Sequence, residues 1–228
     1  MIFIYAGGLY FNGMDCIVTA GPTFEPLDEV RRMTNFSTGR LGTLLAGHLK
    51  ECGHRVTLLI GQSATHGGPR NAGKVEGFTT TNDLRTRLRN LRSHRKMAIF
   101  HAAAVSDFGF GRIYREEENG RRKAVRKTAK ISTRAGQYLV ELVPTPKIIA
   151  ELRQWYPNGV LVGWKYEAQG NRETALRAAR HQMKECGTDA CVANGPSYGP
   201  GFGLVTQSGP RHLDSMPALF RSLEKLLL

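Results

Sequence analysis

The chain has 228 residues, 41% hydrophobic and 22% charged, which suits one folded domain with an elaboration or at most two small domains. No stretch approaches the roughly 18 consecutive apolar residues of a membrane-spanning helix, and the apolar start lacks the basic region of a secretory signal. The net charge of +13 predicts attraction to anions, but it does not distinguish nucleic acid from a phosphorylated metabolite.

Short apolar runs alternate with amphipathic helical patterns along most of the chain, after a lead-in at residues 1–13. The predicted N-caps are Ser37 or Thr38, Asn82 or Asp83, and Asp214. In chain order, the predicted elements are strand 16–20, helix 40–52, strands 55–60 and 75–80, an arginine-rich helix over 85–96, strand 97–104, strand 138–143, helix 145–155, strand 160–164, helix 172–186, strand 190–193, edge strand 204–207 and a final helix to 228.

This alternation predicts a three-layer, Rossmann-like α/β fold with a mostly parallel sheet, in a single domain over 14–228. From 108 to about 137 the pattern breaks into a polar, basic segment, which we interpret as a flap because long loops inside compact domains are usually functional. Ligands of such sheets bind at the carboxyl ends of the strands. The unusual polar motifs follow predicted strands, at Gly21–Glu25, Asn35–Gly39, Ser106-Asp107, Lys165–Glu167 and Asn194.

The four cysteines, Cys16, Cys52, Cys186 and Cys191, form no C-x-x-C pair and have no histidines at zinc-ligand spacing. We interpret them as reduced thiols of a cytoplasmic protein and predict no metal site formed by the protein alone.

The stretch TAGPTFEPLDEVRRMTNFSTGRLG (19–42) is the most informative motif. Gly21 allows a tight turn off the first strand, and Ser37, Thr38 and Gly39 place small residues at a helix N-terminus, where backbone amides can bind an anion. Many α/β domains start a helix in this way, so the motif alone leaves a purely structural interpretation open. Neither the G-x-G-x-x-G fingerprint nor the Walker phosphate loop is present.

With five later motifs, this stretch resembles the phosphopantothenate–cysteine ligase (phosphopantothenoylcysteine synthetase) family, which is also the carboxyl-terminal half of a bifunctional bacterial flavoprotein. Those motifs are AAAVSDF (102–108), KTAKI (127–131), LVELVPTPKII (139–149), GWKYE (163–167) and ACVANG (190–195). The resemblance implies a cytoplasmic homodimer that joins 4'-phosphopantothenate to L-cysteine for coenzyme A biosynthesis. It also implies an acyl-nucleotidylate intermediate, release of pyrophosphate, and use of Mg²⁺ and CTP, or alternatively ATP, without flavin.

The resemblance also assigns roles to individual residues. It implies that Asn35 and Lys130 are catalytic. The residues it implies for the nucleotide are Ala103, Asp107, Lys130, Pro146, Trp164 and Lys165, and those for phosphopantothenate are Gly21, Thr23, Asn35, Ser37, Thr38 and Gly39. Donors and cations of this kind suit a reaction in which negative charge develops on phosphoryl and carbonyl oxygens.

Some residues depart from the family pattern and leave the choice between CTP and ATP open. GWKYE stands where the bacterial form usually reads GFAAE, and Gln182 and Cys186 stand where it often has two lysines. Lys165 or Lys184 could compensate for them. Two other functions remain as alternatives: a nucleotide- or pantothenate-binding module without catalysis, and a nucleic-acid-binding protein using the basic segments 85–96 and 112–134. Against the second, exposed aromatic residues are not interleaved with these basic residues as a stacking platform requires.

Overall fold

The computed structural model describes residues 13–93, 95–117, 120–125, 130–132 and 136–228; of the lead-in expected at 1–13, all but Gly13 lies outside these ranges. The strands are β1 (Asp15–Ala20), β2 (Phe24–Pro26), β3 (Arg32–Thr34), β4 (Arg55–Gly61), β5 (Lys74–Phe78), β6 (Met97–His101), β7 (Phe108–Glu116), β8 (Arg122–Val125), β9 (Tyr138–Pro144), β10 (Val160–Tyr166), β11 (Ala190–Asn194), β12 (Phe202–Thr206) and β13 (Gly209–Leu213). The α-helices are α1 (Arg40–Glu51), α2 (Thr81–Asn90), α3 (Ile148–Trp155), α4 (Arg172–Cys186) and α5 (Met216–Glu224).

Eight of these strands form one sheet in the order β13-β12-β11-β10-β6-β1-β4-β5. The six from β11 to β5 pair in parallel, whereas β12 and β13 pair antiparallel beyond β11. Counted along the chain, the six parallel strands lie in the order 3-2-1-4-5-6, which is that of doubly wound dinucleotide-binding sheets. Their strand order reverses between β1 and β6, and the ligand crevice is therefore expected at the carboxyl ends of this pair.

Helices cover both faces of the sheet, which confirms the predicted three-layer α/β fold. Helices α1 and α5 pack on one face, where Val18 and Phe100 belong to one buried cluster, and α2 and α3 pack on the other, around Ile17 and Ile99. Helix α4 lies on β10 and β11 and contacts α3. Because both faces are covered, the central strands are continuous apolar runs rather than alternating ones.

Two smaller sheets lie outside the main one: the β2–β3 hairpin and a three-stranded antiparallel sheet in the order β8-β7-β9. The second corrects the expectation that residues 108–137 form an irregular segment. Strand β7 pairs with β9 from Phe108 opposite Pro144 to Arg115 opposite Tyr138. The sequence gives little sign of this pairing, because β7 buries only Gly109 and Ile113, and its partner lies about 30 residues away in the chain.

Most element boundaries lie within a few residues of those predicted, but the caps differ. Gly39, in a left-handed conformation, caps α1 instead of Ser37 or Thr38; Thr80 caps α2 and Ser215 caps α5. Strand β12 is not an edge strand, because β13 pairs with it. Among the helices of the described ranges, none has the length and apolar character needed to cross a bilayer.

Candidate functional site

The end of β1 and the start of α1 lie in close contact at the carboxyl edge of the sheet. Gly21 and Gly39 both have positive φ, 77° and 78°. A Cβ atom on Gly39 would lie 3.3 Å from the Gly21 Cα and 3.0 Å from the Ala64 Cβ, so a side chain there would be crowded as well as strained by the positive φ. The N-cap Gly39 offers no side-chain hydrogen bond to α1, and the Arg40 amide donates only over 3.3 Å to the exposed Thr38 hydroxyl, so this helix start suits an anion.

Buried Thr23 joins the loops that follow β1 and β6. Its hydroxyl oxygen accepts a hydrogen bond from the Ser106 amide (2.8 Å) and lies 3.1 Å from the Ser106 Oγ, while its own amide donates to the Ala104 carbonyl (3.1 Å). Thr23 is fully buried and Gly21 is also buried, so both lie beneath the surface on which phosphopantothenate was expected. In this structure the Thr23 side chain holds the two loops together and does not face solvent.

Asn35 lies above this junction. It directly follows β3, its side chain is exposed, and its Nδ2 donates to the same Ala104 carbonyl over 3.1 Å. Ser37 is half-buried and Thr38 is exposed, between Asn35 and the α1 N-terminus. The structure therefore brings the predicted phosphopantothenate residues together at one place, with Asn35 linked to the loop that follows β6.

A cleft of about 510 Å³ opens between the carboxyl ends of β6 and β10, on the face covered by α3 and α4. It is lined by His101, Ala103, Val105, Ser106, Asp107, Thr145, Pro146, Lys147, Ile148, Ile149, Trp164, Lys165, Glu167, Ala178, His181, Gln182 and Glu185. Five of the six residues predicted for the nucleotide, all but Lys130, are in this set. They come from three separate segments of the chain, so their convergence is a property of the fold.

Besides the predicted Lys165, the cleft contains ionisable residues that sequence analysis missed: Lys147, His181 and Glu185. Lys147 lies 3.7 Å and His181 3.1 Å from the Glu185 carboxylate, and Lys165 lies 3.2 Å from that of Glu167. On α4, the lining residues recur at positions 178, 181, 182 and 185, the spacing of one helix face. That spacing groups His181 with Glu185 in the sequence, but only the structure shows that this face of α4 meets the cleft.

The compensation expected for the missing lysines is present only in part. Gln182 lines the cleft and its side chain donates to the Trp164 carbonyl over 3.4 Å, whereas Cys186 is buried and does not line it. Lys165 lines the cleft, but Lys184 is exposed and is not among the lining residues.

His101 and Trp164 contribute buried nitrogen atoms to this region. Burial lowers the pKa of His101 from 6.5 to about 4, so its imidazole is neutral at pH 7, with Nδ1 3.0 Å from the Thr19 hydroxyl. The Thr19 oxygen also accepts a hydrogen bond from the Ala103 amide. The Trp164 ring packs against the core cluster on the α1 face, and its buried Nε1 has no partner within the described part of the chain.

Lys130 is exposed and is not among the residues that line the cleft. Its neighbour Ile131 is buried and is held by Asp28 and Arg31 from the β2–β3 turn. Most of the KTAKI motif, residues 127–129, lies outside the described ranges. Within those ranges, no three His, Cys, Asp or Glu side chains are grouped so as to bind a metal ion.

The family model of the DNA/pantothenate metabolism flavoprotein C-terminal domain matches residues 11–209. The chain is 34% identical over 184 residues to the coenzyme A biosynthesis bifunctional protein CoaBC of Thermococcus kodakarensis, covering 80% of the chain but 41% of that protein. With CoaBC of Bacillus subtilis the identity is 29% over 196 residues, covering 86% and 44%. The chain thus spans less than half the length of these two relatives.

Solved structures share the fold. The DNA/pantothenate metabolism flavoprotein of Streptococcus pneumoniae superposes with a TM-score of 0.81 at 24% identity, covering 94% of this chain and 98% of that one. A Cab2 mutant in complex with phosphopantothenate-cysteine gives a TM-score of 0.68 at 17% identity, covering 94% and 87%.

Proposed function

Because the chain belongs to the DNA/pantothenate metabolism flavoprotein C-terminal domain family, we propose that it is a phosphopantothenate–cysteine ligase driven by a nucleoside triphosphate. The observation that carries this proposal is the cleft, in which five residues predicted for the nucleotide converge next to Asn35. The bound phosphopantothenate-cysteine of the Cab2 complex, on a chain of the same fold, supports the same substrates.

In this proposal the nucleotide occupies the cleft and the phosphate of 4'-phosphopantothenate binds at the α1 N-terminus. The substrate carboxylate attacks the α-phosphorus, the bond to pyrophosphate breaks, and an acyl-nucleotidylate forms. The amine of L-cysteine then attacks the acyl carbon, the nucleoside monophosphate leaves, and the amine proton passes to solvent. Asn35 suits the second step, because its amide lies between the two binding regions and can donate to the carbonyl oxygen as negative charge develops there.

Lys130 is proposed to stabilise the charge that builds on the α-phosphate in the first step. A lysine suits this role, because its ammonium group is a compact charge on a flexible stem. It does not line the cleft in this structure, so its long side chain must extend towards the triphosphate, either in the same subunit or from a second one. Exposed apolar side chains support a homodimer: Phe36 beside Asn35, and Leu142 and Val143 on β9.

Magnesium fits this site as an ion carried by the triphosphate, where it would neutralise phosphate charge. Mg²⁺ commonly takes one or two carboxylates together with phosphate oxygens, and Asp107 and Glu167 both line the cleft. We take CTP as the first choice of nucleotide and ATP as the second, as the family resemblance implies. Lys147 and Lys165 would supply positive charge in place of the two lysines that the bacterial form often has at the positions of Gln182 and Cys186.

The test is pyrophosphate release from the purified protein with phosphopantothenate, cysteine and Mg²⁺, run separately with CTP and ATP. We expect release that requires phosphopantothenate, and a loss of about 10²–10³-fold in kcat for Asn35→Ala and for Lys130→Ala. Lys184→Ala, an exposed lysine outside the cleft, is the matched control. Folded protein that binds phosphopantothenate without releasing pyrophosphate would replace the ligase with a non-catalytic binding module.

A further inference from the structure

The carboxylate of Asp28, in the turn between β2 and β3, is fully buried and accepts five hydrogen bonds. Its Oδ1 accepts from the amides of Val30 (3.0 Å) and Arg31 (2.8 Å). Its Oδ2 accepts from the Arg31 Nε (3.0 Å) and Nη2 (2.5 Å), and from the amide of Ile131 (3.1 Å). Four of these donors belong to the turn itself, but the fifth lies 103 residues further along the chain.

The backbone N–H and carbonyl of Ile131 both form hydrogen bonds with the side chains of Asp28 and Arg31. Its N–H donates to Asp28, and its carbonyl accepts from the Arg31 Nη2 over 2.8 Å. The Ile131 side chain is itself buried, with 7% of its surface exposed. Two side chains therefore hold Ile131 much as a neighbouring strand would, and the residue immediately before it is Lys130.

A buried carboxylate is costly unless its acceptor sites are filled, so Asp28 favours the arrangement in which the Ile131 amide is present. The Arg31 guanidinium holds the pKa of Asp28 well below its usual range, and the backbone hydrogen bonds act in the same direction. The carboxylate therefore stays charged at every pH at which an enzyme of this kind would be assayed.

The same hairpin carries Asn35. Strand β3 ends at Thr34, whose hydroxyl donates to the Thr23 carbonyl (2.8 Å), and Asn35 follows directly. One short hairpin thus connects the asparagine at one end with the lysine segment at its turn. The two residues proposed for the two chemical steps are in this way attached to a single structural unit.

We propose that Asp28 and Arg31 are positioning residues for the ligase reaction, and that they place Lys130 by holding the backbone of Ile131. This proposal rests on the proposed function, since it takes Lys130 as the group that acts on the triphosphate. Neither Asp28 nor Arg31 needs to contact a substrate. Their effect on the reaction passes entirely through the position of the lysine segment.

The first measurement is amide hydrogen exchange at Ile131 in the full chain. In Asp28→Asn, an amide nitrogen or a weaker acceptor replaces the carboxylate oxygen, so we expect exchange at Ile131 at least tenfold faster than in the wild type. Asp15→Asn is the matched control, because it breaks the 2.6 Å Arg55–Asp15 ion pair at the opposite edge of the sheet. Unchanged exchange at Ile131 in Asp28→Asn would overturn the proposal.

The second measurement is a double-mutant cycle in kcat for pyrophosphate release. We expect Asp28→Asn to lower kcat at least tenfold with KM for phosphopantothenate within twofold, and to lower it less than twofold further in a Lys130→Ala background. A merely structural role predicts equal losses in both backgrounds, and that result would overturn the proposal.

Arg31→Lys is the second variant if Asp28→Asn does not fold, because it retains the charge but cannot bind both the carboxylate and the Ile131 carbonyl. The same two readouts and the same expected results then apply. If Lys130→Ala retained full kcat, the role of Lys130 would fail and the positioning proposal with it. Ile131 exchange would in that case still show whether the hairpin holds the segment, so the two failures are distinguishable.

Discussion

The carboxyl edge of the main sheet and the flap segment supply the two halves of the proposed site, and they are built in different ways. The strands β1 and β6, which lead to the two binding regions of the site, are buried on both faces between two helical layers. In the small sheet that the flap segment forms with β9, β7 buries Gly109 and Ile113, whereas every residue of β8 and β9 is at least partly exposed. The cleft is therefore shaped by a hydrophobic core, but the lysine segment depends on a few specific polar contacts.

We expect the largest difference between the two regions in the free energy of unfolding, when one buried side chain is truncated in each of them. Phe100→Ala removes a fully buried ring from β6 and should lower the free energy of unfolding by about 3–5 kcal/mol. Ile113→Ala truncates the buried residue of β7 and should lower it by about 1 kcal/mol or less, because a lightly buried unit opens locally. Urea unfolding followed by tryptophan fluorescence measures both, since Trp155 and Trp164 pack against the core clusters.

The kcat for pyrophosphate release gives a second comparison of the two regions. Ile113→Ala should lower kcat more than its small loss of unfolding free energy would suggest, because it loosens the sheet next to the lysine segment. Equal losses of unfolding free energy in Phe100→Ala and Ile113→Ala would mean that the flap and the core unfold as one unit. The proposed difference in stability between the two regions would then be wrong.

The same difference explains how much the sequence could predict. Strand β1 and strand β6 were predictable because continuous apolar runs are typical of strands buried on both faces, and the residues that follow them therefore came out at one edge. Strands β7 to β9 were not predictable in this way. They pair over a long distance in the chain, and they bury too few residues to show the alternation of apolar and polar residues that marks a strand. The anchoring of Ile131 by Asp28 likewise follows from tertiary contacts that no local pattern records.

The cleft shows the same limit at the level of single residues. Ala103, Asp107 and Pro146 were predicted because each belongs to a motif that resembles the family, and the fold brings them together in the cleft. His181 and Glu185 could be recovered only from the helical spacing of α4, once the side of the helix facing the cleft is known. Thr23 was placed on the substrate surface, but its hydroxyl is occupied in joining two loops, which only the three-dimensional structure reveals.

Acid should lower the free energy of unfolding through His101, which lies at the carboxyl end of β6. This is the second largest effect that we expect. Burial lowers its folded pKa to about 4, below the 6.5 of an exposed histidine, so between these values the unfolded chain binds the extra proton. Stability should therefore be complete above about pH 6.5 and fall as the pH drops towards 4, by on the order of 3 kcal/mol from this residue. The flap segment contains no histidine, so it makes no similar pH-dependent contribution to the unfolding free energy in this range.

Unfolding free energies of wild type and His101→Gln, measured from pH 7.5 to 4, provide the check. His54 also has a lowered pKa, chiefly because of its burial, and adds its own slope, so the comparison should be repeated in a His54→Gln background. If the unfolding free energies of wild type and His101→Gln changed in parallel with pH, His101 would not be buried in the neutral form, and the description of the cleft around it would be wrong.

The smallest expected effect concerns the charges at the rim of the cleft. Lys147→Ala removes a cation that lines the cleft, and we expect KM for the nucleotide to rise about tenfold, close to 1.4 kcal/mol, with little change in kcat. Lys184→Ala, an exposed lysine of α4 outside the cleft, should leave KM within twofold. Because Lys147 also lies 3.7 Å from the Glu185 carboxylate, Glu185→Gln should move KM in the opposite direction by releasing the lysine for the phosphates. A rise in KM with both Lys147→Ala and Glu185→Gln would instead mean that the ion pair shapes the cleft, and that Lys147 does not bind the nucleotide by its charge.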